Sequence, residues 1–167
     1  MTSRNAIFVI GVSGTGKSTI ARAIAHEIDG IFLDADDFHP SENVAAMSNG
    51  IPLTDEMRVG WLGTVVAAAN EASNARVAFA CSALKKAYRD IIRKNVVGCR
   101  FVFLDVDRAT LQTRMANRPG HYMPVSLLDS QLDTLERPSQ TESDVLVVDG
   151  TLSIEEIVAK VLDIAAN

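Results

Sequence analysis

Short apolar runs recur along the chain, with amphipathic stretches between them. Ala6 to Ile10, Ile31 to Leu33, Val77 to Cys81, Phe101 to Leu104 and Val145 to Val148 are apolar without interruption. Many of their residues are β-branched or aromatic, and continuous rather than alternating apolar character predicts strands covered on both faces. Between the first two runs, Ile20, Ile24 and Ile28 recur every four residues and mark one face of a helix. Ile154, Ile157, Val158, Val161 and Ala165 repeat that pattern near the end. Strands alternating with helices predict right-handed crossovers, hence an α/β fold with a parallel, doubly wound sheet. No internal repeat, linker or low-complexity tract interrupts the series. Two polar stretches do, from Asp34 to Trp61 and from Asn117 to Pro124, and both sit where α/β proteins build ligand-binding loops.

Composition narrows the picture. A chain of 167 residues reads as one domain. The 47% hydrophobic and 22% charged content is that of a folded globule. A net charge of −5 argues against a broad nucleic-acid-binding face, so an anionic ligand must be met by a few placed cations. Cys81 and Cys99 form no C-x-x-C pair and border apolar runs, which predicts buried free thiols. The first apolar run is too short for a signal sequence, and no stretch approaches a membrane span, so a soluble, cytoplasmic protein is expected.

The chemistry starts at Gly11-Val12-Ser13-Gly14-Thr15-Gly16-Lys17-Ser18, a complete G-x-x-x-x-G-K-[ST] loop between an apolar strand and an amphipathic helix. Its glycines let successive backbone N–H groups turn inward towards phosphate oxygens, and the helix N-terminus adds a positive dipole end. Such a loop is expected to bind a nucleotide, ATP in a kinase, with Thr19 continuing it. Lys17 is expected to bridge the β- and γ-phosphates, and Ser18 to ligate Mg²⁺.

The second strand ends in Asp34-Ala35-Asp36-Asp37, which places carboxylates at the sheet edge beside that loop. Asp34 and Asp36 are expected to divide metal holding and proton acceptance, while Asp37 or Ser41 caps the helix after Pro40. The third strand lacks the usual terminal Asp, which adds weight to this pair. Lys85, Lys86 and Arg89 follow it and crowd cations near the phosphates. Arg114 and Arg118, four apart on one helix face, are read with the Pro119-Gly120 hinge as a lid over about 115–126. There is no guanine-reading N-K-x-D, and the larger motor ATPases need more chain, so a small-molecule kinase fits best.

These residues resemble the gluconate kinases, within the shikimate-kinase-like and nucleoside-monophosphate-kinase-like group. The likeness runs through Leu33 to Pro40, Asn43, Met47, Gly50 to Asp55, Arg58 and Trp61-Leu62. It continues through Cys81 to Lys86, Tyr88 to Asp90, Arg118, Gly120 to Pro124, Leu127 to Gln131, Thr134 to Glu136 and Pro138. The resemblance implies a three-layer α/β/α fold with a five-stranded parallel sheet. It also implies transfer of the ATP γ-phosphoryl group to the terminal hydroxyl of D-gluconate, and a homodimer. It puts Asp34 near Mg²⁺ and Asp36 near the acceptor hydroxyl. His39, Arg58, Lys85, Arg89, His121 and Gln131 fall at acceptor or lid positions, and Arg58 is assigned the gluconate carboxylate because a bidentate pair orients as well as attracts. Lys17, Asp36, Lys85 and Arg118 form the expected catalytic set. Two departures stand out: Gly60 before Trp61, where proline is usual, which predicts a looser helix entry, and Ala35 where glycine is common. Shikimate or a nucleoside monophosphate as acceptor, and a regulatory module without phosphotransfer, remain open at this point.

Overall fold

The computed structural model describes residues 6–117 and 125–165. Within them lie five strands, β1 (Ala6–Ile10), β2 (Ile31–Asp34), β3 (Val77–Ala80), β4 (Arg100–Asp105) and β5 (Val145–Asp149). They form one sheet in the order β2-β3-β1-β4-β5, with every pairing parallel. The helices are α1 (Lys17–Glu27), α2 (Ser41–Ser48), α3 (Asp55–Glu71), α4 (Lys86–Asn95), α5 (Arg108–Ala116), α6 (Val125–Thr134) and α7 (Ile154–Ala165). The five apolar runs are the five strands, within two residues at any end.

The pleat sorts each strand into two cores. From β1, Phe8 and Ile10 face α3 and α4, meeting Trp61, Leu62, Phe79, Ile92 and Phe101. Ile7 and Val9 face the other way, against Ile20 and Ile24 of α1 and Ile157 and Val161 of α7. Phe8 stacks on Phe79 of the neighbouring strand at 4.9 Å. Each such side chain stabilises the fold by about 1.5–3 kcal/mol through removal from water. The central strand is wholly buried because both its faces are covered, whereas β2 and β5 are the sheet edges and are partly open.

This order places the site. From β1 the chain crosses to the β2 edge and returns through β3, then continues on the other side through β4 and β5. A crevice therefore opens at the C-terminal end of β1, where the loops diverge.

Two local expectations change. A 3-10 turn over Ala35–Phe38 follows β2, and Asp34 caps it by accepting from Asp36 N. Helix α2 starts after Pro40 with no side-chain cap, so neither Asp37 nor Ser41 has the capping role. Helix α3 is capped by Thr54 instead, whose hydroxyl accepts from Met57 N at 3.2 Å. Gly60 lies inside α3, a full turn past its start, and so does not loosen its entry. A methyl group added at Gly60 or at Gly63 meets nothing within 4 Å. Gly60→Ala and Gly63→Ala are each expected to raise stability by about 0.5–1 kcal/mol, seen as a higher urea midpoint at unchanged slope. Both cysteines are free and buried as expected, and burial pushes the Cys81 thiol up to about 12. Among the described residues no helix is long and apolar enough to cross a membrane.

Candidate active site

The loop Gly11 to Ser18 leaves β1 and enters α1. Gly14 and Gly16 hold φ of 86° and 92°, the left-handed region where a side chain is strained. Thr15 Oγ1 and Lys17 Nζ both donate to the Val12 carbonyl at 2.9 Å, while the Val12 side chain is buried beside Leu84, Leu111 and Leu128. Ser13 N donates to Gln131 Oε1 of α6 at 2.8 Å. From α5, the Arg114 guanidinium donates to Gly14 O at 3.3 Å, Thr15 O at 3.4 Å and Gly150 O at 3.0 Å. Side chains from two helices thus hold the loop from two directions.

The loop separates two cavities. A cleft of about 440 Å³ is lined by Gly14, Thr15, Gly16 and Thr19, with Arg114, Asn117, Gly150, Leu152 and Ile154 opposite. A narrower pocket of about 80 Å³ lies on the other side, lined by Ser13, Lys17, Asp36, His39, Arg58, Trp61, Ser82, Leu84 and Gln131 among others. Lys17 therefore stands at the wall between a large cleft and a small polar pocket.

The two carboxylates have different partners. Ser18 Oγ donates to Asp34 Oδ2 at 2.9 Å, which brings a hydroxyl and a carboxylate together at the start of α1. Hard oxygen donors beside a phosphate-binding loop suit Mg²⁺. Asp36 stands one turn further on, exposed, with His39 Nε2 3.7 Å from its Oδ1. His39 is held by Trp61, itself fixed to the backbone, and by Asn43. Its ring stacks on Trp61 at 4.4 Å, Trp61 Nε1 donates to Ala35 O at 2.7 Å, and Asn43 Nδ2 lies 3.1 Å from His39 Nδ1. Asn43 Nδ2 also donates to Met57 O, so it is the amide nitrogen and can only donate. Nδ1 then accepts, and the imidazole proton sits on Nε2, facing Asp36. That hydrogen, with the Lys17 charge, holds the Asp36 carboxyl below the ordinary aspartate value. Asp36 is a carboxylate aimed by its neighbours.

A family model described as an AAA domain matches residues 7–138, from the phosphate-loop strand to past α6. The thermosensitive gluconokinase of Escherichia coli (strain K12) is 44% identical over 147 residues, covering 84% of this chain and 76% of that one. The chain belongs to the gluconokinase family. A crystal structure of a gluconokinase from Sinorhizobium meliloti 1021 superposes with a TM-score of 0.88 at 42% identity, covering 99% of this chain and 94% of that one. The shikimate kinase of Aquifex aeolicus vf5 shares the fold, with a TM-score of 0.64 at 16% identity over 96% of each chain.

Of the expected acceptor positions, Asp36, His39, Arg58 and Gln131 line the narrow pocket, and Arg89 and Lys85 do not. Arg89 is 1% exposed and lines neither cavity. Its guanidinium donates to Glu142 through Nε at 2.8 Å and Nη2 at 2.9 Å, and to the carbonyls of Ala83, Leu84 and Glu136. It is a buried cation whose hydrogen bonds all go to protein groups, and the structure does not bring it to the pocket. Lys86 pairs with Asp90 at 2.7 Å, and Lys85 donates to Asp55 at 2.9 Å, outside the pocket lining. Arg118, His121 and the Pro119-Gly120 hinge lie outside the described residues. Sequence reasoning missed the apolar end of the larger cleft, Leu152 and Ile154, because two aliphatic residues at a helix start read as ordinary core. It also missed the partners Asp55, Tyr88 and Glu142, each of which meets its cation only through the fold.

Proposed function

We propose that this chain transfers the γ-phosphoryl group of ATP to the terminal hydroxyl of D-gluconate, giving 6-phospho-D-gluconate that enters central carbohydrate metabolism. One observation carries the reading: Lys17, Asp36 and Arg58 share a narrow pocket across the phosphate loop from a cleft large enough for a nucleotide. The family relatives, named as gluconokinases, support the same acceptor.

The larger cleft takes ATP, with the base towards Leu152 and Ile154 and the phosphates under the loop's N–H groups. Lys17 reaches from the loop to the transferring phosphoryl group and spreads its charge. Arg58 fixes the acid end of the acceptor in the narrow pocket, which leaves the far hydroxyl at Asp36. Asp36 accepts a hydrogen bond from that hydroxyl and aligns its oxygen for in-line attack. The new bond joins that oxygen to the γ-phosphorus as the bond to the β–γ bridging oxygen breaks, and the hydroxyl proton passes to Asp36. Ser18 and Asp34 would hold Mg²⁺, which offsets phosphate charge. A lowered pKa makes Asp36 a weak base but a firm aligner, and a loose phosphoryl transition state asks chiefly for alignment.

The proposal extends to a single domain with a lid over about 115–126, carrying Arg118 and His121, and to a homodimer in the cytoplasm. Neither nucleic acid nor membrane is a partner in this reading, in keeping with the acidic net charge. The test is acceptor-dependent ADP release from Mg·ATP. Gluconate is expected to support turnover, and shikimate and nucleoside monophosphates are not. Turnover on one of those instead reassigns the acceptor, and no acceptor-dependent release with any of them points to a nucleotide-binding regulatory module.

A further inference from the structure

Asp55 and Tyr88 have no part in the chemistry above, yet they join the two walls of the acceptor pocket. Asp55 is the first residue of α3, the helix that gives Arg58 and Trp61 to the pocket. Tyr88 lies in the first turn of α4, just after the segment that gives Ser82 and Leu84. The Tyr88 hydroxyl donates to Asp55 Oδ1, and Lys85 Nζ donates to the same oxygen at 2.9 Å. Arg58 stands nearly one turn along α3 from Asp55, its guanidinium carbon 5.9 Å from the centre of the Tyr88 ring. Lys85 Nζ lies 5.8 Å from that centre. Asp55 and the Tyr88 ring thus hold Lys85, which does not line the pocket itself, next to Arg58, which does.

We propose that Asp55 is a positioning residue for acceptor recognition: by anchoring Lys85 and Tyr88 beside Arg58, it ties α3 to the β3–α4 segment and fixes the anion-reading end of the pocket at a set distance from Asp36. The inference rests on the gluconate reading and adds the device that sets the acceptor's length and charge. A lysine is a flexible point charge that loses much rotamer freedom when it is held for a ligand, and a tether removes that loss in advance. The Asp55 charge is felt by both Lys85 and Arg58 and offsets their repulsion. Its own carboxyl is held below the usual aspartate value, first by the Tyr88 hydroxyl and then by Lys85, so the tether is ionised at neutral pH. The Asp55 side chain is 66% exposed, so the pair adds little to overall stability and its loss is read in the acceptor, not in the fold.

The test is steady-state ADP release by the full-length Asp55→Asn enzyme. The expected result is a KM for gluconate raised about tenfold, with kcat and the KM for ATP within about twofold of wild type. Its melting temperature is expected within about 4 °C of wild type. Asp55→Glu, which restores the charge one methylene further out, recovers part of the gluconate KM. An unchanged gluconate KM in the Asn variant overturns the proposal. So does a parallel rise in both KM values, which marks a general structural role, or a Glu variant no better than the Asn variant. If wild type fails to phosphorylate gluconate, the acceptor reading itself falls. If wild type turns over and the Asn variant matches it, only the Asp55 inference falls.

Discussion

Asp36→Asn is expected to lower kcat for gluconate phosphorylation by roughly a hundred- to a thousand-fold, with the KM for ATP within about twofold of wild type. The asymmetry follows from position. Asp36 lines the narrow pocket and not the larger cleft, so nucleotide binding does not depend on it. The amide keeps the shape of the carboxylate but loses the charge that aligns the hydroxyl and receives its proton. Lys17→Ala is expected to behave differently, weakening nucleotide binding and turnover together, because Lys17 serves the phosphates themselves. A pH profile separates these roles further. The active form of Asp36 is the carboxylate, and His39 and Lys17 lower its pKa, so the acid limb assigned to it falls below the ordinary aspartate value of 3.8. An acid limb above that value contradicts the aligned-carboxylate assignment.

Arg89→Ala is expected to destabilise the fold by about 3–5 kcal/mol, since it leaves the Glu142 carboxylate buried without its main partner. Against a typical total of about 5–15 kcal/mol, that is a large share, and the melting temperature falls by roughly 10 °C. The double variant Arg89→Met with Glu142→Met removes both charges and is expected to recover most of the loss. Thermal and urea unfolding of the three variants measures the difference. Glu142 also links this pair to pH. Hydrogen bonds from Arg89 and then Arg93 lower its carboxyl from 4.5 to about 2. The unfolded chain titrates near the ordinary value, so the stabilisation is fully present above it and is lost as pH falls from 4.5 towards 2. The amount lost over that window is about 3 kcal/mol. If unfolding free energy is flat across it, Glu142 is not held as described.

The strands and the phosphate loop were legible because their signals are local. A parallel strand buried on both faces is a continuous apolar run, and Gly11 to Ser18 carries its own geometry in its glycines. The same holds for Asp34 and Asp36, whose positions at a strand end already place them beside the loop. What was not legible is where long cations go. Lys85 and Arg89 lie four residues apart after the same strand, and nothing local separates their fates. Arg89 turns into the core because Glu142, 53 residues away in sequence, waits there. Lys85 turns to Asp55, 30 residues away. A family likeness places both near the acceptor, and only the packing of α4 against its neighbours distinguishes a buried brace from a cation at the pocket's edge. The helix expected after Pro40 is α2, which has no side-chain cap, and Thr54 caps the longer helix that carries Arg58 and Trp61.

In the proposed reaction the narrow pocket presents a terminal hydroxyl of gluconate to the γ-phosphate beside Lys17. Phosphorus NMR of the product formed from Mg·ATP and gluconate tests it most directly. A phosphate on the terminal carbon is split by two methylene protons, and that triplet is expected to grow in step with ADP. A doublet, from a phosphate on a carbon bearing one proton, or inorganic phosphate alone, would contradict it.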